Sequence, residues 1–256
     1  MKRFLALILL CQAPFVAAND ATSTEIVHWQ DNSLSYLYGD NFKVNPKTQQ
    51  TITFEHASGW NIGDLFMFVD FTKYNGEEDF LNGETTYYGE FAPRFSFSKM
   101  LDKPVEMGFV KDVLIATTVE FGEGDVESFL IGAGFDLAIP GFDFFQLNMY
   151  KRLPDGRDGD TWQITPTWKM SWPVGESSIV FDGFIDWVVD SDGSYEKNFH
   201  FNPQLKYDLG KQVGLGDSAL LVGIEYDYWK NKYGIKSSSG FDTDQSVTSL
   251  LVKYHF

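Results

Sequence analysis

Aromatic and ionisable side chains alternate at every second position in several segments of the sequence. Phe184 lies between Asp182 and Asp186, and Tyr88 shares its parity with Glu90. Because side chains two apart on an extended chain point the same way, such residues would line one surface together. The candidate solute-binding residues on this surface are Phe66, Phe68, Asp70, Tyr88, Glu90, Arg94, Tyr150, Arg152, Asp182, Phe184, Asp186, His200, Lys206, Glu225 and Lys253.

A surface that mixes rings with hydrogen-bonding groups favours one class of solute. An apolar ring left in water costs about 1.5–3 kcal/mol, whereas stacking of a base on an aromatic side chain contributes about 1–3 kcal/mol. The mixture therefore favours a planar, heteroaromatic, hydrogen-bonding molecule. The alternative is that the rings contact one another and plug a narrow passage.

The elements that must present these residues are β-strands. The clearest is the last segment, where one face carries Leu250, Val252, Tyr254 and Phe256. The opposite face is polar except at Leu251. A final strand with an apolar face and a C-terminal aromatic residue is the usual terminal signal of outer-membrane barrels.

The sequence contains about twelve such segments, each about as long as a tilted strand needs to be to cross hydrocarbon. Short turns such as 173–176 alternate with longer polar connections such as 231–244, as expected for periplasmic turns and external loops. The segments lie near 32–39, 48–57, 63–73, 85–97, 109–121, 127–138, 142–153, 160–172, 178–189, 197–208, 218–229 and 247–256.

This pattern predicts an all-β fold, a transmembrane antiparallel up-and-down β-barrel of about twelve strands with a lumen within one chain. A soluble β-sandwich would also alternate, but it would bury mid-strand Asp, Glu and Lys in a dry core at prohibitive cost. The large aromatic residues of the apolar face are expected to contact lipid or the membrane interface: Trp162, Trp168, Trp172, Tyr207, Tyr228 and Tyr254.

The first eighteen residues predict a signal peptide. Lys2 and Arg3 precede an apolar run, and Val16-Ala17-Ala18 provides a small-residue cleavage site. We therefore expect residues 1–18 to be removed and residues 19–256 to form the barrel. The net charge of −16 for the whole chain argues against nucleic acid as a partner, because phosphate binding needs a basic surface.

Catalytic and metal-binding motifs are not evident in the sequence. It holds no phosphate-binding loop, cofactor fingerprint or zinc-type Cys/His set, so we expect no cofactor, no metal site and no enzyme activity. A barrel lipid hydrolase would need Ser and His together at the lipid boundary. None of the four histidines, His28, His56, His200 and His255, stands beside a recognisable serine motif. The loop Asp155–Asp160 begins like a calcium loop, but Pro166 stands where an EF-hand needs Glu.

Several motifs resemble the Tsx/OmpK family, and its OmpK branch more closely than Tsx itself. They are Gly183-Phe184-Ile185-Asp186-Trp187, the segments 202–210 and 223–235, the early 29–34 and the Phe256 terminus. The resemblance spans essentially the whole chain after the signal peptide. It implies a twelve-stranded barrel in the outer membrane of a Gram-negative bacterium, with a narrow lumen for nucleosides and loops that serve phages or colicins as a receptor.

The sequence thus predicts facilitated diffusion of nucleosides or similar small aromatic solutes through a barrel in contact with outer-membrane lipid and lipopolysaccharide. Arg94, Arg152, Lys206 and Lys253 are expected to balance the lumen acids Glu90, Asp182, Asp186 and Glu225. Two alternatives stay open at this point. One is a structural or adhesion barrel with a closed lumen, and the less favoured one is an outer-membrane lipid hydrolase.

Overall fold

The computed structural model describes residues 26–76, 78–79, 83–124, 126–155 and 159–256. The predicted signal peptide, residues 1–18, lies outside the described residues, as does the middle of the 155–160 loop. The strands are β1 (Val27–Gly39), β2 (Gln49–Trp60), β3 (Gly63–Tyr74), β4 (Thr85–Ser96), β5 (Val110–Gly122), β6 (Val126–Leu137), β7 (Phe144–Pro154), β8 (Thr161–Val174), β9 (Ser177–Val188), β10 (Asn198–Asp208), β11 (Leu220–Lys230) and β12 (Gln245–His255).

The strands form one closed antiparallel barrel in which each pairs with its sequence neighbours and β1 pairs with β12. The closing pair aligns Leu34 with Tyr254 and Ser35 with Lys253. Closure matters because a sheet edge in hydrocarbon would leave backbone N–H and C=O groups without partners. The predicted fold class is confirmed, and each of the twelve predicted segments coincides with a strand to within a few residues.

The two faces of the wall differ as the alternation predicted. In β12, Leu250 on the outer face is 66% exposed, whereas Leu251 on the inner face is 2% exposed. Outer side chains therefore meet the surroundings, and inner ones meet each other and the lumen. Trp168 departs from this pattern, because it lies on the outer face but is covered by the rings of Phe181 and Phe201.

The two ends of the barrel carry different connections. We call the end with Val27 and His255 the periplasmic end, since outer-membrane barrels place their short turns there, and the other the external end. The turns 61–62 and 175–176 and the loop 231–244 follow this rule. Residues 97–109 and 209–219 depart from it, since both form long periplasmic connections. The first begins with the helix α1 (Phe97–Met100), capped by the Ser96 hydroxyl.

Three prolines lie within strands on the outer face: Pro93, Pro166 and Pro203. A proline has no N–H to give to the ladder, and at each one the pairing with one neighbouring strand is interrupted. Side chains bridge two of these gaps, because Thr117 Oγ1 donates to the Pro93 carbonyl at 2.8 Å and Thr165 Oγ1 donates to Asp186 Oδ1 at 2.7 Å. The interrupted backbone pairing beside Pro166 is thus the place where Thr165 binds the lumen carboxylate of Asp186.

Within the described part of the chain, none of the helices has the length and apolar character needed to cross a membrane.

Candidate functional site

All the predicted solute-binding residues lie on the inner face of the wall. The register aligns inner residue with inner residue from strand to strand, as for Asp70 with Tyr88 and Asp186 with His200. The inner positions so defined include every candidate: Phe66, Phe68, Asp70, Tyr88, Glu90, Arg94, Tyr150, Arg152, Asp182, Phe184, Asp186, His200, Lys206, Glu225 and Lys253.

One aromatic cluster lines the lumen on β3 and β4. The ring centroids of Phe66 and Phe68 are 6.1 Å apart, and those of Phe68 and Tyr88 are 5.8 Å apart. Phe66 is 42% exposed although it faces inward, so its ring is open to the lumen. The Tyr88 hydroxyl donates to Glu90 Oε1 at 2.8 Å. We call Phe66, Phe68 and Tyr88 the first aromatic wall.

A second aromatic cluster lines the lumen on β9, β10 and β11. The imidazole of His200 stacks on the indole of Trp229, and the ring of Phe184 meets His200 edge-on with centroids 5.1 Å apart. His200 is fixed by Asp227, whose Oδ1 lies 3.0 Å from Nε2. We call Phe184, His200 and Trp229 the second aromatic wall.

The two aromatic walls lie on opposite sides of the barrel, since β4 and β10 are half the ring of strands apart. Both walls carry carboxylates beside their rings, Glu90 and Asp70 on one side and Asp186 and Asp227 on the other. Aromatic rings and carboxylates therefore line the lumen on both of these sides.

The arginines are held against the wall by ion pairs different from those predicted. Arg94 binds Asp64, with Nη2–Oδ2 of 2.7 Å, and Asp136, with Nη1–Oδ1 of 3.0 Å. Arg152 forms a bidentate pair with Glu120 and also donates to Gln163. Both arginines are buried, and their ion pairs join different strands of the barrel wall.

The two lumen lysines form a second group of ion pairs. Lys206 binds Asp182 at 2.7 Å, and Lys253 binds Glu55 at 2.5 Å. Among the described residues, Asp182 is the one predicted lumen acid that forms a direct ion pair with a predicted cation. The other lumen carboxylates accept hydrogen bonds from neutral groups and, within the described residues, form no ion pair: Asp70, Glu90, Asp186 and Glu225. The alternation of the sequence correctly placed these charged residues in the lumen. Which of them form ion pairs depends on the distances between side chains on different tilted strands, and the alternation does not give those distances.

Tyr150 is a candidate whose side chain is buried in the inner face of the wall. It is 3% exposed and packs with Ala116 and Leu130 on the inner face. Gly132, its partner on β6, leaves the space for this close approach, because a Cβ there would overlap the Met149 carbonyl oxygen. Tyr150 thus packs against aliphatic side chains of the wall rather than against another ring.

The sequence analysis missed three lumen residues of the second wall and its external side. Trp229 and Asp227 share the inner parity of Glu225, and that parity could have identified them. Tyr233, beyond β11, meets Trp229 with centroids 5.5 Å apart, in the 3₁₀ turn Lys232–Gly234. The buried Lys232 ammonium donates to Gln245 Oε1 at 2.7 Å, and Gln245 Nε2 donates to Asp227 Oδ2 at 2.6 Å. These contacts tie the external loop to the lumen.

A hydrogen-bonded Asn–His–Ser group lies outside the lumen, on the outer face near the periplasmic end. Nδ1 of His56 is 2.8 Å from Asn32 Oδ1, and its Nε2 is 3.0 Å from Ser58 Oγ. The sequence analysis found no serine motif beside a histidine, and the structure corrects this. His56 and Ser58 are two apart on β2 and therefore share a face, and β1 supplies Asn32 as the cross-strand partner of His56. Among the described residues, no group of three or more His, Cys, Asp or Glu is arranged to hold a metal ion.

A closed barrel with an apolar outer face and a polar, aromatic lumen defines a channel-type outer-membrane protein. The chain belongs to the family described as nucleoside-specific channel-forming protein, Tsx, whose model matches residues 24–256. This confirms the resemblance to the Tsx/OmpK family and the outer-membrane location.

Curated relatives point the same way. The chain is 26% identical over 200 residues to the outer membrane protein OmpK of Vibrio parahaemolyticus, covering 76% of this chain and 74% of that relative. It is 25% identical to the outer membrane protein OmpK of a serotype O3:K6 strain of that species, over 100% of this chain and 99% of the relative.

Among solved structures, the chain is similar to the KdgM porin, with a TM-score of 0.48 and 11% identity over 88% of this chain and 99% of that one. It is also similar to the outer membrane protein Omp33 of Acinetobacter baumannii, with a TM-score of 0.39 and 10% identity over 90% and 99% of the two chains.

Proposed function

We propose that this channel carries nucleosides or similar small aromatic solutes across the outer membrane by facilitated diffusion. The observation that supports the proposal is the pair of aromatic walls on opposite sides of the lumen. Stacking on such rings contributes about 1–3 kcal/mol per base, and the carboxylates beside them accept hydrogen bonds from the ribose hydroxyls and the amino groups of the base. Binding of this strength concentrates the solute and still releases it.

The proposal is tested by recording single channels in a planar bilayer. Adenosine or thymidine at millimolar concentration should reduce the open-channel current, because an occupied narrow lumen blocks ions. Ribose is the matched control, since it has the hydroxyl groups but no ring to stack. Equal effects of ribose and adenosine would contradict the proposal.

The closed-lumen alternative makes a different prediction for the same recording. Tyr150, Arg94 and Arg152 fill part of the inner face, so the open path is narrower than the backbone ring. A barrel plugged completely would insert into the bilayer and give no conductance steps. Steps that nucleosides block support transport, and silent insertion supports a purely structural or receptor role.

We also infer that the external loops provide a receptor surface of the kind used by phages or colicins. The loops are joined to one another, since Tyr233 Oη donates to Asn45 Oδ1 at 3.0 Å and Lys43 pairs with Asp242 at 3.1 Å. Joined loops present a defined surface to a protein partner. Replacing loop residues on whole cells and measuring phage or colicin binding tests this role separately from transport.

Contact with lipopolysaccharide is a further part of the proposal. Lys151 lies on the outer face near the external end of β7, with its ammonium 5.6 Å from the Trp162 ring. A lysine at this depth extends its charge to the interface, where the phosphates of lipopolysaccharide lie.

The proposed boundary between signal peptide and barrel is tested by N-terminal sequencing of the exported protein, which should begin at Asn19.

A further inference from the structure

Polar side chains that face the lipid are expensive and need an explanation, because hydrocarbon provides no hydrogen-bond partners. The Asn32–His56–Ser58 group is such a case. Its neighbours on the outer face include Leu34, which is exposed, and Leu65 and Met67, the cross-strand partners of Ser58 and His56. The group is not needed for the lumen, which lies on the other side of the wall.

The hydrogen bonds define the roles that the three side chains can play. If Nδ1–H of His56 donates to Asn32 Oδ1, which accepts at 2.8 Å, Nε2 is left as an acceptor 3.0 Å from the Ser58 hydroxyl. This is the tautomer that a histidine needs to take the proton of a serine. Asn replaces Asp as the orienting residue in some known nucleophile–histidine triads.

We propose that Ser58, His56 and Asn32 form a membrane-facing hydrolase site for carboxylic esters of lipids. The site lies close to the periplasmic end of β2, which ends at Trp60, and therefore at the level of the periplasmic leaflet. The substrate class that the location favours is the glycerophospholipid of that leaflet. This activity is separate from the proposed transport and does not depend on it.

The chemical step follows from the geometry. Ser58 Oγ attacks the ester carbonyl carbon while its proton passes to His56 Nε2. The same proton then goes to the leaving alkoxide as the C–O bond breaks, and the products are a lysolipid and an acyl-serine. Water, deprotonated by Nε2, releases the fatty acid and restores the serine. Gln30, the exposed cross-strand partner of Ser58, is the side chain placed to donate to the developing oxyanion.

Access to the serine requires one movement. Ser58 is 1% exposed, and the Trp60 indole N–H donates to its Oγ at 3.0 Å. Trp60 is therefore a lid over the nucleophile, and an ester reaches Ser58 when the indole turns aside. A lid at the lipid boundary would couple activity to contact with a lipid surface.

The experiment uses the purified, folded barrel in detergent mixed with phosphatidylglycerol. Two measurements are made, release of fatty acid and covalent labelling by a fluorophosphonate, with the labelled peptide identified by mass spectrometry. We expect labelling at Ser58, and a fall in hydrolysis of at least about 100-fold in Ser58→Ala and in His56→Phe. The matched control is Ser246→Ala, another serine of the outer face, which should keep both signals.

Asn32 is a positioning residue and has its own readout. Asn32→Ala should lower the rate and change the pH profile of hydrolysis, and Asn32→Asp should restore part of the rate. The shift between heated and unheated protein on a gel shows that each variant is folded. A folded wild-type barrel that neither takes up the probe nor releases fatty acid would overturn the proposal, as would labelling that persists at Ser58 in His56→Phe.

Discussion

The imidazole of His200 lies flat on the indole of Trp229, with ring centroids 3.8 Å apart and planes 13° apart. The Asp227 carboxylate holds the imidazole at Nε2, and Phe184 supports it edge-on. One face of the indole is thus covered before any solute arrives. The stack is a preformed part of the lumen wall, and each of its members should matter more to solute binding than to folding.

Replacing the indole should weaken block by nucleosides. In Trp229→Leu we expect the blocking concentration of adenosine to rise about 5- to 150-fold, the equivalent of losing about 1–3 kcal/mol of stacking. The measurement is a titration of single-channel current. Trp162→Leu, on the outer face, is the control and should leave the titration unchanged, so equal effects in the two variants would contradict the assignment of the second aromatic wall.

Breaking the ion pair of Arg152 should destabilise the barrel. Both partners are nearly buried, and removal of one charge leaves the other uncompensated, which costs about 3–5 kcal/mol. Glu120→Gln should therefore lower the thermal unfolding temperature in detergent. Asp217→Asn removes the partner of the exposed Lys211 and serves as control, and an equally small shift in both variants would show that the buried pair does not stabilise the wall.

Four lumen carboxylates that form no ion pair within the described part of the chain should make the channel select cations. In their ionised form, Asp70, Glu90, Asp186 and Glu225 repel anions in a weakly screened passage and attract cations. In a salt gradient the reversal potential should have the sign of cation selectivity, and adenosine monophosphate should block about tenfold less well than adenosine. Glu90→Gln should move the reversal potential towards zero, whereas an anion-selective wild type would contradict this account of the charges.

Lys232 should make the external mouth sensitive to pH. Burial lowers the pKa of Lys232 from 10.5 to about 8, against the opposing pull of Asp227. Burial therefore disfavours the protonated amine, and this destabilises the closed loop fully below pH 8. The destabilisation is lost as the pH rises from about 8 to 10.5, because the amine then becomes neutral in both the closed and the open loop. Hydrogen exchange in Asn231–Asp244, corrected for its intrinsic rate, should slow across that window. Lys232→Met should abolish the pH dependence, and an unchanged dependence in this variant would assign it to another group.

The sequence alone predicted the strands of the barrel wall and the face of the wall on which each candidate residue lies. Period-two alternation is a local property, and it placed every candidate from Phe66 to Lys253 in the lumen. The partners of the charges were beyond it. Arg94 pairs with Asp136 two strands away, and Lys253 pairs with Glu55 two strands away across the closing pair. Strand tilt brings these residues together, although no spacing in the sequence connects them.

The outer-face triad shows a second limit. His56 and Ser58 are separated by one residue, so their shared face follows from the strand alone. Asn32 is brought opposite His56 by the register of β1 on β2, which the intervening loop sets. A rule that looked for serine two residues from histidine on a strand would have found the pair but not the residue that orients it.

The most direct test of the central claim is the location of a bound nucleoside. Crystals of the barrel grown or soaked with bromouridine would place the bromine by its anomalous signal. We predict one peak inside the lumen between Phe68 and Tyr88 on one side and Phe184 and Trp229 on the other. A peak confined to the outer surface, or none in the lumen when the solute is present at millimolar concentration, would contradict the claim that these two walls form the solute site.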